Sequence, residues 1–322
     1  MLALLFPGQA SQEVGMGRDV YEASPAARAV FDAADAALGD RLAVALSRLC
    51  FEGPEEELRR TEIQQPAILT TSIALLRALE EQTGPLAAAY VGGHSLGEYT
   101  ALVAAGAIGF EDAVRTVNLR GRLMQEAVAE GRGAMAAVMG VGPEVVATAC
   151  EEAADKTGLV VAPANYNSPQ QTVIAGDAAA VELACERATA LGAKKTVPLP
   201  VSAPFHCALM APAAARLESE LARLPWQSAT PPVVTNVEAA PNADPTRTAD
   251  LLCEQVTAPV RFTDMIATMR ELGVDRFLEV GPGRVLSGLI ARIERRARRA
   301  NFSSLAELEE VRAFLSEPEG SG

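Results

Sequence analysis

Residues 91–98 read Val-Gly-Gly-His-Ser-Leu-Gly-Glu, and this stretch decides the fold expected of the whole chain. An apolar run over 86–91 precedes it, and small residues at 99–106 follow it. Between a strand and a helix, the G-x-S-x-G pattern predicts a nucleophile elbow. Its two glycines let strand and helix approach closely, and the turn lifts the Ser95 hydroxyl clear of the backbone. An incidental serine in a glycine-rich turn is the alternative, which this context disfavours.

The composition is that of a globular protein. Its 322 residues suit two domains, or one large domain with an insertion. Apolar residues make up 49 % and charged residues 21 %, a balance that supports a large core. We expect no membrane association, because no apolar run approaches the roughly 20 residues of a spanning helix. The first six residues lack a basic leader and are expected to form a core strand rather than a signal peptide.

Charge and cysteine content limit the partners and the compartment. The net charge of −13 disfavours nucleic acid as a partner. The five cysteines are odd in number and scattered, without a C-x-x-C motif. This argues for a reducing cytoplasm and against a disulfide framework or a thiolate metal site. Because the net charge is negative, an anionic substrate would need a local positive charge at its binding site.

Alternating strand and helix patterns predict an α/β fold. The order over 131–200 is βαββαβ, which predicts a ferredoxin-like unit inserted into a larger domain. We therefore assign 1–130 and 201–315 to a large catalytic domain, and 131–200 to the insertion. The polar end of the chain, 316–322, is expected to be a flexible tail.

Several local patterns make more specific predictions. Ser24 and Pro25 predict an N-cap and first turn, and Pro66 is expected to open another helix. We expect a strand over 233–237. After Gly283, one helix is expected to continue to about Ala300.

Ser95 needs a base, because a free hydroxyl is a poor nucleophile near neutral pH. The chain has two histidines, His94 and His206. His94 adjoins the serine, where side chains diverge, so we expect it to be a packing group. His206 follows the serine in the order of α/β-hydrolase-like sheets, although a buried structural histidine is its alternative. Since no convincing carboxylate lies between them in the sequence, a Ser-His dyad and a triad both remain open.

Six motifs occur in the same order as in a known family, and they extend over most of the chain. The chain resembles the malonyl-CoA:acyl-carrier-protein transacylases of fatty-acid and polyketide synthesis. The matching segments are 6–12 (Phe-Pro-Gly-Gln-Ala-Ser-Gln), 93–98 (Gly-His-Ser-Leu-Gly-Glu), 118–124 (Asn-Leu-Arg-Gly-Arg-Leu-Met), 165–169 (Asn-Tyr-Asn-Ser-Pro), 204–206 (Pro-Phe-His) and 279–283 (Glu-Val-Gly-Pro-Gly).

The resemblance implies an α/β-hydrolase-like domain with a ferredoxin-like insertion. It also implies ping-pong transfer of malonyl from malonyl-CoA to the phosphopantetheine thiol of a holo acyl carrier protein, with no cofactor and no metal. Ser95 would be acylated, and His206 would act as general base and then as general acid. Gln9 and the Leu96 N–H would form the oxyanion hole. Gln255 would orient His206 through its backbone carbonyl.

Two further residues would select the acyl group. Arg120 would pair with the malonyl carboxylate, a task that suits the planar fork of a guanidinium better than an ammonium group. Phe205 would favour malonyl over branched acyl groups, because its ring would fill the space an α-methyl group needs. One methyl group is worth only about 1–3 kcal/mol in such a pocket. Ala10 departs from the family, which commonly has glycine there, and we expect a small local adjustment.

An acyl or thioester hydrolase on the same scaffold is the main alternative, although it would not need Arg120. A non-catalytic scaffold that only binds carrier proteins is disfavoured by the joint presence of Ser95, His206 and Arg120. We expect a monomer, because no long exposed apolar stripe is evident. Basic residues could form either a docking surface for CoA phosphates and the carrier or a solvated helix face. These residues are Lys194, Lys195, Arg284 and the arginines within 292–299.

Overall fold

The computed structural model describes residues 1–129, 131–201 and 203–316. The strands are β1 (Leu2–Phe6), β2 (Ala88–Gly93), β3 (Gly133–Met139), β4 (Val161–Ser168), β5 (Gln171–Asp177), β6 (Lys195–Pro198), β7 (Val233–Val234), β8 (Pro241–Asn242), β9 (Arg276–Val280) and β10 (Arg298–Phe302). The helices are α1 (Arg18–Ala23), α2 (Pro25–Leu38), α3 (Leu46–Glu52), α4 (Glu55–Leu58), α5 (Thr61–Thr83), α6 (Leu96–Ala104), α7 (Phe110–Glu126), α8 (Pro143–Thr157), α9 (Ala178–Ala190), α10 (Ala211–Leu221), α11 (Pro245–Gln255), α12 (Phe262–Glu271), α13 (Val285–Ile293) and α14 (Leu308–Ser316).

The large sheet has the order β10-β9-β1-β2-β7-β8, and only the β7–β8 pair is antiparallel. All five residues of β1 are buried, as expected where helices cover both faces of a parallel sheet. Alternate residues of β1 enter different cores. Leu2, Leu4 and Phe6 pack towards α2, α5, α6 and α7, whereas Ala3 and Leu5 pack towards α12 and α13. The α/β prediction is confirmed.

The small sheet has the order β4-β5-β3-β6, with every pair antiparallel. Helices α8 and α9 pack together, and their apolar residues share a core with this sheet. This is the ferredoxin-like arrangement expected from the βαββαβ order. The Tyr166 N–H donates to the Val260 carbonyl at 2.9 Å, which ties β4 to the large sheet's side of the molecule. The exact domain boundaries stay a prediction.

The expected helix start at Pro66 is wrong. Helix α5 begins at Thr61 and contains Pro66. A proline inside a helix leaves the carbonyl four residues earlier without its backbone donor. Here Asn118 donates its side-chain N–H to the Glu62 carbonyl at 2.8 Å and replaces that bond. Because the donor comes from α7, the local sequence around Pro66 could not reveal it.

The C-terminal part also differs from expectation. Helix α13 ends at Ile293, and β10 then forms the edge of the sheet where the helix was expected to continue. Arginines on an edge strand obscure the apolar pattern of a strand, and one of them, Arg298, bonds to Asp275 at 2.7 Å. The strand expected over 233–237 is limited to β7. Ser316 was expected to belong to the flexible tail, but it is the last residue of α14, and 317–322 lie outside the described residues.

Candidate active site

The elbow between β2 and α6 requires glycine on both sides of Ser95. A Cβ on Gly93 would lie 2.2 Å from the Gly97 carbonyl, and one on Gly97 would lie 2.0 Å from the Phe6 oxygen. Ser95 itself has φ 51° and ψ −104°, outside the usual regions for a residue with a side chain. Such strain costs about 1–3 kcal/mol and is typical of functional sites.

Replacement of Gly97 by alanine should therefore destabilise the protein strongly. The added methyl group would meet the backbone of β1, which cannot move without disturbing the sheet. We expect the free energy of unfolding to fall by about 3 kcal/mol or more, measured by urea denaturation. Gly288 in α13 is the matched control, because a Cβ there meets nothing within 4 Å. Gly288→Ala should be neutral or slightly stabilising, and equal losses in both variants would contradict the argument.

Two amide side chains hold the strained turn in place. Asn236 accepts from the Ser95 N–H at 2.6 Å and donates to the Gly93 carbonyl at 2.7 Å. Gln255 donates its side-chain N–H to the Ser95 carbonyl at 3.0 Å. Asn236 was not among the residues predicted from the sequence. The available signal was its place just after β7, since parallel strands present functional groups at their carboxyl ends.

Ser95 and His206 form a hydrogen-bonded pair, with 2.8 Å between Oγ and Nε2. The other ring nitrogen, Nδ1, lies 2.8 Å from the Gln255 backbone oxygen. A carbonyl can only accept, so Nδ1 carries the proton and Nε2 of the neutral ring accepts from the serine hydroxyl. Within the described residues no carboxylate contacts the ring, and the arrangement is a dyad oriented by a carbonyl.

Burial, followed by the nearby Arg120 charge, lowers the pKa of His206 to about 3. The ring is therefore in its basic form at neutral pH. We expect ¹⁵N NMR to show one neutral tautomer, protonated at Nδ1, between roughly pH 5 and pH 8. The signal can be assigned by its loss in His206→Asn. A His206 ring that titrates near 6.5 would contradict this expectation.

Arg120 is a fully buried cation next to the nucleophile, with 0 % exposure. Its Nη1 donates to the Gln65 side chain at 2.8 Å, and its Nη2 donates to the Gln255 side chain at 2.9 Å and to Ser95 Oγ at 3.1 Å. The Tyr99 ring centroid lies 5.5 Å from its Cζ. These partners are all neutral, and no acidic side chain in the described chain forms an ion pair with Arg120. Glu98 acts on the guanidinium electrostatically but does not contact it. A buried charge without a directly bonded counter-charge is costly, so the site is suited to receive an anion.

The loop that contains Gln9 lies against the elbow, since a Cβ on Gly8 would be 2.4 Å from the His94 oxygen. The Gln9 side chain bonds to Gln64 at 2.6 Å, and no hydrogen bond to Ser95 is formed. Leu96 is the first residue of α6, where backbone N–H groups lack partners within the helix. The oxyanion roles of Gln9 and Leu96 stay predictions. Ala10 adopts φ 74°, the conformation for which glycine is favoured.

The other residues predicted from the sequence make contacts outside the Ser-His pair. His94 bonds to Asn167 at 2.8 Å and packs on Phe262, in agreement with a packing role. Phe205 is buried next to His206, and its effect on specificity stays a prediction. Among the basic residues, Arg284 pairs with Glu307 and Arg292 bonds to Gln171. The described part of the chain contains no group of three or more His, Cys, Asp or Glu side chains that could hold a metal ion.

A serine on a strained elbow, bonded to a neutral histidine on an α/β sheet, defines a serine-dependent acyl-transfer enzyme. The adjacent buried guanidinium suits acyl groups that carry a carboxylate.

Comparison with known proteins identifies the family. The model of the acyl transferase domain family matches residues 3–306, and the chain belongs to this family. It is 50 % identical over 291 residues to the malonyl CoA-acyl carrier protein transacylase of Escherichia coli K12, which covers 90 % of this chain and 92 % of the relative.

Solved structures agree with this assignment. An acyl carrier protein S-malonyltransferase from Vibrio cholerae has a TM-score of 0.92 and 44 % identity, with coverage of 96 % of this chain and 99 % of that chain. A second structure contains a type II PKS acyl-carrier protein in complex with its malonyl-transacylase. It has a TM-score of 0.91 and 44 % identity, with coverage of 96 % and 97 %. The predicted family and fold are confirmed.

Proposed function

We propose that this protein transfers the malonyl group of malonyl-CoA to the phosphopantetheine thiol of a holo acyl carrier protein. The observation that carries the proposal is Arg120, a buried cation whose Nη2 lies 3.1 Å from the nucleophilic oxygen and contacts only neutral groups. A malonyl carboxylate would supply a negative charge in direct contact with the guanidinium. Pairing there would bring the thioester carbonyl, at the other end of the short acyl group, towards Ser95 Oγ.

The geometry supports a two-stage reaction. In the first stage the Ser95 proton passes to His206 Nε2 while Oγ attacks the thioester carbonyl. The tetrahedral intermediate collapses, the C–S bond breaks, and the CoA sulfur leaves with the proton from His206. In the second stage the carrier thiol gives its proton to His206 and attacks the malonyl ester, and the Ser95 oxygen recovers the proton as it leaves. The histidine therefore acts as base and then as acid in each stage.

The activity is that of an acyltransferase rather than a hydrolase. A plain esterase does not need a buried cation beside its serine, and the relatives reported above are named transacylases or malonyltransferases. Ser95 is 6 % exposed and His206 4 % exposed, which limits the access of bulk water to the ester. The thioester is already an activated donor, so we propose that the reaction needs no cofactor and no metal.

The remaining partners and the compartment are also proposals. Malonyl-CoA and the holo carrier are the expected partners, and the net charge of −13 argues against nucleic acid. We propose a monomer that works in the cytoplasm, and the free state of all five cysteines supports a reducing compartment. Among the described residues, no helix combines the length and hydropathy needed to cross a bilayer.

The direct test incubates the protein with malonyl-CoA, methylmalonyl-CoA or acetyl-CoA, with and without a holo carrier, and records intact masses of both proteins. We expect malonyl on the enzyme when the carrier is absent and malonyl on the carrier when it is present. Rapid release of CoA with an unloaded carrier would instead identify water as the acceptor. Comparison of the three donors also tests whether Phe205 excludes the branched acyl group.

A further inference from the structure

Glu98 is a buried acid that the mechanism above does not use. It lies in the first turn of α6, three residues after the nucleophile, and is 2 % exposed. One of its oxygens, Oε2, accepts from the Asn236 backbone N–H at 3.0 Å and from the Gln255 side-chain N–H at 2.8 Å. A carboxyl group is costly to bury, so its position behind the serine calls for an explanation.

The two partners of Glu98 contact the nucleophile, the base and the buried cation of the site. Asn236 accepts from the Ser95 N–H. Gln255 orients His206 through its backbone oxygen and accepts from Arg120 through its side-chain oxygen. Glu98 is therefore linked to the nucleophile, the base and the cation through a single intervening residue in each case.

We propose that Glu98 is the positioning residue of this site, because its carboxylate fixes the orientation of the Gln255 amide and anchors Asn236. The reason is which groups around Gln255 can donate a hydrogen bond and which can only accept one. An ionised carboxylate can only accept, so Glu98 holds the Gln255 amide with its N–H group towards the carboxylate. The Ser95 carbonyl, which accepts from the same N–H group, and Arg120, which donates to the amide oxygen, favour the same orientation. A neutral group at position 98 could also donate, and the Gln255 amide could then reverse. Reversal would place an N–H group against the guanidinium and release the Ser95 carbonyl.

The charge of Glu98 has a second effect. Arg120 is the charged group that acts on it from the neighbouring helix α7. Tyr99 interacts electrostatically with both groups and with Cys253, and His206 interacts with Arg120 and His94. The negative charge offsets part of the guanidinium charge in the free enzyme, and that guanidinium charge is one that lowers the pKa of His206. Both effects require the ionised form.

Burial raises the pKa of Glu98 to about 7, whereas hydrogen bonds from Gln255 and Asn236 and the Arg120 charge oppose this increase. The ionised fraction therefore grows as pH rises through neutrality. We expect the rate of Ser95 acylation to rise over the same interval. This rising limb of the pH–rate profile would reflect the ionisation of Glu98, because the pKa of His206 lies near 3.

The test is Glu98→Gln, which retains the shape of the side chain. We expect the acylation rate by malonyl-CoA to fall about 10²-fold at pH 8, with KM changed by less than about threefold. The limb near neutral pH should disappear. Glu279→Gln is the matched control, because Glu279 is equally buried and accepts two backbone N–H groups at Leu286 and Ser287, away from the dyad. This control should retain the limb.

Thermal melting separates positioning from general stability. Because burial raises the pKa of Glu98 from 4.5 to about 7, the charged form is disfavoured in the folded state. The resulting loss of stability grows between these two pH values and is complete above about pH 7. At pH 8 the Glu98→Gln variant should therefore melt no lower than the wild type. A wild-type rate and pH profile in Glu98→Gln would overturn the proposal. The proposal would also be overturned if Glu98→Gln and Glu279→Gln lost acylation rate and melting temperature to the same extent.

This inference depends on the proposed function only in the use of malonyl-CoA as the substrate of the test. Labelling of Ser95 by a fluorophosphonate reports the nucleophilicity of the serine without a malonyl group. If wild-type protein reacts with this probe but not with malonyl-CoA, the proposed function fails. Glu98 is then still tested by the labelling rate, which we expect to fall in Glu98→Gln and to be unchanged in Glu279→Gln.

Discussion

Replacement of Ser95 by alanine should abolish the covalent malonyl adduct and lower malonyl transfer by roughly 10⁴- to 10⁶-fold. The Ser95 hydroxyl is the group that His206 Nε2 contacts, at 2.8 Å, so its loss removes both the nucleophile and the proton that the base would accept. Loss of the nucleophile cannot be compensated by Arg120 or the elbow, which bind and orient but do not form the ester. The measurement is the intact mass of the protein after incubation with malonyl-CoA, together with the rate of carrier loading.

The matched control is Ser316→Ala, at the end of α14, which packs against the β10 edge of the large sheet. This variant should acquire malonyl as the wild type does. A malonyl adduct on Ser95→Ala would show that another residue is the nucleophile. Circular dichroism should show the same helix content in both variants, because a Ser95→Ala change leaves the backbone bonds from Asn236 and Gln255 available.

The elbow was predictable because its requirements are local. Gly93, Ser95 and Gly97 lie within five consecutive residues, and the contacts that exclude a Cβ come from the turn itself and from the neighbouring strand β1. The βαββαβ order of the insertion was equally accessible, since each element has its own periodicity. The pairing of Ser95 with His206 was predicted from the small number of histidines in the chain, from the order in which the serine precedes the histidine, and from the Pro-Phe-His motif at 204–206.

The side-chain contacts that support the elbow could not be predicted in the same way, although the family resemblance did imply that Gln255 orients His206. Asn236 and Gln255 bond to Ser95 across 141 and 160 residues of sequence, and a single amide side chain has no pattern that marks such a contact. Gln65 supports Arg120 from α5, next to the proline that was wrongly expected to start that helix. In both cases the deciding partner lies on a different element. The secondary-structure propensity of a local segment contains no information about such partners.

Arg120→Ala should separate malonyl transfer from acetyl transfer. The malonyl carboxylate would lose its counter-charge in a buried site, a loss worth about 3–5 kcal/mol, which corresponds to roughly 10²- to 4 × 10³-fold in kcat/KM. Acetyl-CoA has no carboxylate, so its kcat/KM should change by less than about tenfold. Removal of the guanidinium also removes a charge that lowers the pKa of His206, and the base in the variant should be stronger rather than weaker.

Two further variants make this measurement specific to the geometry. Arg115→Ala alters an arginine of the same helix that pairs with Asp112 at 3.0 Å, and it should leave both substrates unaffected. Arg120→Lys retains the charge, but a single ammonium cannot reproduce the fork that contacts Gln65 and Gln255 together, so it should restore malonyl transfer only in part. Equal losses for malonyl and acetyl in Arg120→Ala would mean that Arg120 supports the dyad rather than the substrate. Selection of malonyl would then have to come from elsewhere in the pocket, and the buried charge would serve mainly to hold Gln255 against His206.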